Sequence, residues 1–280
     1  MAIRITSDST CDLGHLVKER NIGILSLQIH LGDNSYYDGV DITPEEIFSF
    51  VEKNKVLPKT SAPSIADYED FFKEQLAFGD EVLHFNISQK SSGSYNMAKQ
   101  AAEAFGGKVR VIDSMALSSG QGLLVLKAAD LRDEGKSMDE IEEIVCALRE
   151  RVNTSFIPDR LDYLYKGGRV SKMAMYGANL LKIHPLIYME NGQLVPGKKY
   201  RGKMSVLLKQ YVEDLKAMYP KYDKSRCFIT HSSADKELVD VLKEKVAELF
   251  EFDEVIETVA GSIITSHCGK NTLGVLFIRQ

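Results

Sequence analysis

The sequence feature that most constrains the fold is the alternation of short β-rich runs with helical patterns in the first half. Strands are predicted at residues 3–7, 24–31, 81–86 and 109–113 from their β-branched and aromatic side chains. Helices are predicted between them, since Thr43 precedes Pro44 and Ser64 precedes an apolar run, and both hydroxyls suit a helix N-cap. Such alternation favours a mainly parallel sheet with covered faces.

The second half has a different pattern. Residues 183–189 and 193–200 are predicted strands joined by a turn at Glu190-Asn191-Gly192, which makes an antiparallel hairpin. The elements predicted after the hairpin are helices at 205–219 and 234–250 and strands at 227–231, 255–259 and 274–278. At 280 residues the chain is long enough for two cores. We therefore predict an α/β chain of two domains, an N-terminal mainly parallel domain at 1–155 and a C-terminal α+β domain with a mixed or antiparallel sheet at 156–280.

Composition and charge exclude several classes of protein. The chain is 44% hydrophobic and 27% charged, as in ordinary globular proteins. Its net charge of -5 argues against a nucleic-acid partner, which needs a basic surface to bind phosphates. No run approaches the roughly 20 apolar residues of a membrane span, and the N-terminus lacks a signal-peptide pattern. A cytoplasmic location without an integral membrane segment is expected.

Metal and nucleotide motifs are incomplete. The four cysteines and six histidines are scattered without ligand spacing, so neither a metal site nor a cofactor is expected. Gly120-Gln121-Gly122 lacks the third glycine of a dinucleotide fingerprint, and helix packing explains it equally well. The segment 197–204 has the glycines and lysine of a phosphate loop, but Met204 replaces the magnesium-binding hydroxyl. That segment is interpreted as a basic connection between a strand and a helix, or as a docking patch around Arg201.

Four other segments combine hydroxyls, glycines and a cation. Thr60-Ser61 precedes one predicted helix start and Ser92-Gly93 precedes another, and such starts bind anions through free N–H groups. The third and fourth segments, residues 161–172 and 266–274, contribute Arg169 and His267. Each segment taken alone is also typical of ordinary helix capping.

Together with Ser7-Asp8-Ser9-Thr10 and residues 111–114, these four segments resemble the DegV family of bacterial fatty-acid-binding proteins, in the same order along the chain. The resemblance implies a non-catalytic carrier that binds a long-chain fatty acid such as palmitate at the domain junction. Carried over by position, the head-group residues are Thr60, Ser61, Ser92, Gly93, Arg169 and His267. Tyr163 and Lys166 would shape the loop that presents Arg169.

The resemblance also implies a partner. Family carriers present the fatty acid to a separate kinase that forms an acyl phosphate, and we expect Arg201 to belong to the docking surface. One departure lies in the fourth segment, where Lys270 and Asn271 replace a proline and a glycine of the family pattern. Two alternatives remain: an acyl ester or thioester hydrolase in which His267 activates Ser92, and a lipid-sensing regulatory protein.

Overall fold

The computed structural model describes residues 2–170 and 183–280. Its strands are β1 Ile3–Asp8, β2 Gly23–Leu25, β3 Gln28–Leu31, β4 Asn34–Tyr37, β5 Lys59–Ser61, β6 Glu81–Asn86, β7 Val109–Asp113, β8 Val152–Asn153, β9 Ser155–Ile157, β10 Ile183–Glu190, β11 Gln193–Arg201, β12 Tyr222–Ser232, β13 Val255–Val259 and β14 Thr272–Arg279. Its α-helices are α1 Leu16–Glu19, α2 Pro44–Asn54, α3 Ile65–Gln75, α4 Ser94–Ala102, α5 Ser119–Asp133, α6 Met138–Leu148, α7 Asp162–Lys166, α8 Met204–Met218, α9 Lys236–Leu249 and α10 Ser262–Cys268.

The first sheet is parallel, in the order β2-β1-β6-β7. The predicted helix caps are confirmed, because Thr43 and Ser64 each form a capping box at the start of α2 and α3. Tyr68, Phe72 and Val82 are fully buried in the cluster between α3, α4 and this sheet. The predicted parallel α/β architecture of the first half is therefore confirmed.

One predicted strand is wrong in its extent. Residues 24–31 form two strands, since β2 belongs to the parallel sheet and β3 to a separate three-stranded sheet of order β4-β3-β5. The chain changes sheets at Leu27, whose N–H donates to the Ser9 hydroxyl and whose carbonyl accepts from the Asp38 N–H. These partners lie 18 and 11 positions away, so the local pattern of alternation does not reveal the break.

The second sheet is mixed and has seven strands, ordered β11-β10-β9-β14-β12-β13 with β8 also paired to β14. Only β12 and β13 pair in parallel, and the predicted hairpin is the antiparallel pair β10–β11 with its turn at Asn191-Gly192. This arrangement confirms the predicted α+β character of the second half. The sheet begins at Val152, and the boundary between 155 and 156 stays a prediction.

Helix α5 is shared by the cores of both halves. Leu124, Val125 and Ala128 are fully buried in a cluster that includes Ile5 and Leu83 of the first sheet together with Phe228 and Leu276 of the second. A Cβ at Gly120 would meet the Thr154 side chain at 2.1 Å, and one at Gly122 would meet the Cys11 carbonyl at 2.7 Å. The two glycines therefore let α5 pack closely against Thr154 and Cys11, in agreement with the interpretation of the Gly-Gln-Gly motif as a helix-packing motif.

The three-stranded sheet packs against α10. Leu27, Ile29 and Ile47 form an apolar cluster with Ile263 of that helix. Because β5 carries Thr60 and Ser61, this packing brings residues about 200 positions apart in sequence next to one another. The contact between the small sheet and α10 therefore determines where the site described below lies.

Candidate ligand-binding site

The six head-group residues expected from the sequence line one cavity of about 170 Å³. They come from four distant parts of the chain: Thr60 and Ser61 on β5, Ser92 and Gly93 before α4, Arg169 after α7, and His267 on α10. The cavity lies where elements of the first half meet α10 and the loop after α7. The structure thus brings all six residues together, while their role in binding stays a prediction.

His267 is a largely enclosed polar group of the cavity. Its Nε2 lies 2.9 Å from the Thr60 hydroxyl, and its buried Nδ1 has no hydrogen-bond partner among residues 2–170 and 183–280. Burial, followed by the nearby positive charge of Arg169, lowers the pKa of His267 to about 3. The imidazole is therefore neutral near pH 7, and with Thr60 it forms a polar pair that can donate one hydrogen bond to an anion.

Arg169 supplies the cation. Its guanidinium donates to the Gly167 carbonyl at 2.5 Å and lies 3.5 Å from the Ser91 carbonyl, and burial lowers its pKa. The Gly167 backbone approaches His267 so closely that a Cβ there would lie 2.6 Å from Nδ1. The turn after α7 therefore holds Arg169 and packs against His267 at the same time.

Thr60 and Ser61 reach the cavity in a way that differs from the prediction. They lie on strand β5, which pairs with β3, instead of at a helix start. Helix α3 begins at Ile65 with its own capping box, in which the Ser64 hydroxyl accepts from the Asp67 N–H and the Asp67 carboxylate accepts from the Ser64 N–H. The Ser61 hydroxyl lies 2.9 Å from Nε2 of His30, whose Nδ1 lies 2.8 Å from the Ser35 hydroxyl. The contact between His30 and Ser61 could not be predicted, since nothing in the local sequence pattern distinguishes His30 from a surface histidine.

Ser92 and Gly93 lie at the start of α4, as predicted. The Ser92 hydroxyl lies 2.8 Å from that of Ser94 and accepts from the Ser94 N–H at 3.2 Å. Gly93 is the residue before the helix, and no heavy atom lies within 4 Å of where its Cβ would be. The open space beside Gly93 lets a ligand approach this helix start closely.

Two buried carboxylates hold the beginning of α10. Asp12 accepts from the Gly261 N–H at 2.8 Å, and Asp38 accepts from the Ser262 N–H at 2.7 Å and the Ile263 N–H at 3.3 Å. Burial raises the pKa of both carboxyl groups. These contacts fix the helix that carries His267, and they could not be foreseen because the partners are more than 200 residues apart.

Apolar side chains form the remaining walls, which the sequence analysis did not name. They are Leu27, Ala62, Ile87, Leu117, Leu164, Leu194, Ile263, Ile264 and Cys268. Leu117, Ile264 and Cys268 also line a smaller cavity of about 30 Å³ that extends towards Phe156 and Leu276. The site thus combines a polar end with an apolar wall that continues into the core.

The departures in the fourth segment lie outside the cavity lining. Helix α10 ends at Cys268, and the next residue, Gly269, has a φ of +76° and lies so close to Tyr163 that a Cβ there would be 2.9 Å from its ring. Asn271 accepts from the Asp235 backbone N–H through its side-chain oxygen, and the Lys270 ammonium lies 3.8 Å from the Asp235 carboxylate. Both residues therefore face Asp235 instead of the polar end of the site. Ser171 and Lys172 of the third segment lie outside the described residues.

The basic segment 197–204 differs from the prediction of a connection between a strand and a helix. Residues 197–201 belong to β11, which pairs with β10, and only Gly202 and Lys203 connect it to α8. Lys198 forms an ion pair with Asp214 at 2.6 Å, whereas Arg201 is exposed at the end of the strand. A strand does not present successive N–H groups to one phosphate, so the resemblance to a phosphate loop has no structural counterpart.

Comparison with known proteins identifies the family. The sequence model described as "Uncharacterised protein, DegV family" matches residues 2–280. A DegV domain-containing protein of Clostridium acetobutylicum is 31% identical, with 99% of each chain covered. The chain belongs to the DegV family. A further DegV domain-containing protein, from Staphylococcus aureus, is 30% identical to this DegV chain, over 99% of its length and 98% of the relative.

Solved structures of the family superpose closely on this DegV protein. A Thermus thermophilus DegV structure described as showing fatty acid binding has a TM-score of 0.92 at 29% identity, with all of both chains covered. A Thermotoga maritima protein described as revealing a fatty acid binding function has a TM-score of 0.86 at 28% identity, again over both full chains. The resemblance inferred from the ordered segments is therefore confirmed.

No helix within 2–170 and 183–280 has the length and apolar character needed to cross a bilayer. In the same residues, no three histidine, cysteine, aspartate or glutamate side chains converge as metal ligands.

Proposed function

We propose that this DegV protein binds a long-chain fatty acid, with the carboxylate among Thr60, Ser61, Ser92, Gly93, Arg169 and His267. The observation that carries the proposal is the convergence of these residues on one cavity with a polar end and apolar walls. The fatty acid binding described for the Thermus and Thermotoga relatives supports the same ligand class. Palmitate is the ligand we choose for the tests.

The acyl chain supplies most of the affinity. Burial of each methylene contributes about 0.8 kcal/mol, whereas each hydroxyl hydrogen bond contributes roughly 1 kcal/mol, so a chain of many methylenes outweighs the head group. The cavity of about 170 Å³ is smaller than the roughly 300–1,000 Å³ of typical ligand pockets. The acyl chain therefore extends past Leu117 and Ile264 into the smaller cavity, and these side chains move to admit it.

Lipid extraction of the purified protein followed by mass spectrometry tests the ligand class. A co-purifying or added long-chain fatty acid at about one per chain is expected, and no uptake of palmitate or oleate would refute the proposal. Ile264→Phe places a ring between the two cavities and should reduce palmitate affinity at least about tenfold. Val206→Phe, on an exposed position of α8, is the matched control and should bind palmitate normally.

The carboxylate position has its own test. Thr60→Val and Ser92→Ala each remove one hydroxyl and should each weaken palmitate binding about three- to tenfold through one lost hydrogen bond. Ser49→Ala removes an exposed hydroxyl of α2, bonded to the Glu45 carbonyl, and is the control. Wild-type affinity in both site variants would move the carboxylate to another part of the protein.

The protein acts as a carrier without catalysis of its own. In a Ser-His hydrolase the imidazole would receive the serine proton, but Nε2 of His267 pairs with Thr60 and the Ser92 hydroxyl pairs with Ser94. The low pKa of His267, about 3, also makes it a weak base. Turnover of an acyl thioester reporter that depends on Ser92 would contradict the carrier function and support the hydrolase.

A separate kinase receives the bound carboxylate and forms an acyl phosphate. Hydroxyls and a neutral imidazole leave the carboxylate oxygens nucleophilic, and exposed Arg201 belongs to the docking surface. Arg201→Ala should reduce acyl phosphate formation with a cognate kinase while palmitate binding stays unchanged. Lys236→Ala, at an exposed position of α9, is the control of equal charge change. Fatty-acid binding with no kinase captured from the native host would favour a lipid sensor.

A further inference from the structure

A second, larger cleft lies between the two halves of the chain and shares no lining residue with the fatty-acid cavity. Its volume is about 580 Å³, within the roughly 300–1,000 Å³ range of small-molecule sites. Met115 and Arg149 line it from the first half, and the β10–β11 hairpin, the end of α8 and Arg279 line it from the second. The hairpin is fixed there because the Ser88 hydroxyl donates to the Gly192 carbonyl at 2.6 Å.

Three cationic side chains line the cleft, and of these Lys198 is paired with Asp214, which leaves Arg149 and Arg279. Arg149 donates to the Asp113 backbone carbonyl at 3.2 Å, and Arg279 donates to the backbone carbonyls of Glu150 and Arg151. Neither forms a salt bridge with a carboxylate within residues 2–170 and 183–280. Both guanidinium groups are therefore held in position by neutral carbonyls, which orient them without neutralising their charge.

Arg149 also has a donor that the protein leaves unused. Its Nε is buried and has no acceptor among the described residues. Buried donors in native proteins nearly always have a partner, so the hydrogen-bonding capacity of this guanidinium is not fully used by the described residues. Glu150 and Glu190 also line the cleft, but both are exposed and their charges are screened by solvent.

The other walls are aromatic and apolar. The Arg279 guanidinium lies over the Tyr219 ring, 5.3 Å from the ring centroid. Tyr188 lines the cleft from β10. Met189, Leu215 and Met218 complete this side. Methionine and tyrosine side chains present flat or adaptable surfaces to a planar group, while two arginines suit a dianion.

We propose that this cleft binds a phosphate monoester with a planar body, of the mononucleotide class, with its phosphate between Arg149 and Arg279. The ligand would contact both halves of the chain at once. This site is independent of the fatty-acid site, and its test does not require bound lipid.

Calorimetric titration of the full-length protein with AMP tests the proposal, with inorganic phosphate and adenosine as separate arms. AMP should bind saturably and more tightly than either fragment. Arg149→Gln and Arg279→Gln should each weaken AMP binding about tenfold or more, the effect of one lost charge-assisted contact. Arg151→Gln is the matched control, because it changes the charge equally on an exposed side chain that does not line the cleft.

Several results would overturn the proposal. They are the absence of saturable AMP and phosphate binding up to about 10 mM, or equal affinities in Arg151→Gln and the two cleft variants. Binding of an aspartate-rich peptide without binding of AMP or phosphate would also overturn it and would indicate a protein partner. If Arg149→Gln fails to fold, the titration of Arg279→Gln and a crystal structure of the wild-type protein soaked with AMP test the site instead. Phosphate density away from both arginines in that crystal structure would refute the site.

Discussion

Replacement of His267 by glutamine should change how the stability of the protein depends on pH. In the folded protein the pKa of His267 is lowered to about 3, chiefly by burial, whereas a histidine in the unfolded chain has a pKa of about 6.5. Below pH 6.5 the unfolded chain therefore binds a proton that the folded protein does not. The free energy of unfolding falls as the pH decreases from 6.5 towards 3.

The size of the effect follows from the two pKa values. Each pH unit below 6.5 costs about 1.4 kcal/mol, so His267 alone removes about 2 kcal/mol between pH 7 and pH 5. Glutamine does not titrate, and its amide can still reach the Thr60 hydroxyl. The loss of stability over this interval should thus be about 2 kcal/mol smaller in His267→Gln than in the wild type.

Urea unfolding of the lipid-free protein at pH 7 and pH 5 measures this difference, and the His267 imidazole resonances in NMR measure the pKa directly. His84, which is fully buried and also has its pKa lowered to about 3, contributes equally in both proteins and cancels. His15→Gln, at an exposed position, is the matched control substitution. An equal loss of stability in wild type and His267→Gln, or an NMR midpoint near 6.5, would refute the reasoning.

Two further substitutions test the contacts that hold His267 and its helix in position. Gly167→Ala places a Cβ 2.6 Å from Nδ1 of His267 and should lower the free energy of unfolding in urea by about 1–3 kcal/mol. Gly93→Ala, whose Cβ would face open space, is the control and should leave the stability nearly unchanged. Equal stabilities of the two variants would contradict the close approach of Gly167 to His267. Asp38→Ala removes the acceptor for two N–H groups of α10, so it should lower the free energy of unfolding by about 1–2 kcal/mol and weaken palmitate binding. Asp38→Asn keeps a side-chain acceptor and should lose less stability. A larger loss of stability in the asparagine variant would argue against this account.

Several elements could be predicted because their signals are local. The capping boxes at Thr43 and Ser64 need only residues three positions apart, and the hairpin turn needs only Asn191 and Gly192, both of which adopt positive φ. The family followed from the order of short segments along the chain. The division of 24–31 into β2 and β3 could not be predicted, because the bonds that cause it come from Ser9 and Asp38.

The sequence by itself determined which residues are available for a head-group site, since the short segments that carry the hydroxyls, glycines, arginine and histidine follow one another in the order found in the family. Tertiary structure decided how they meet. Packing of the small sheet on α10 places Thr60 against His267, and burial there makes the imidazole neutral. Contacts with Asp12, Asp38 and His30, the apolar walls and the second cleft arise between residues distant in sequence, and such proximity is created only when the chain folds.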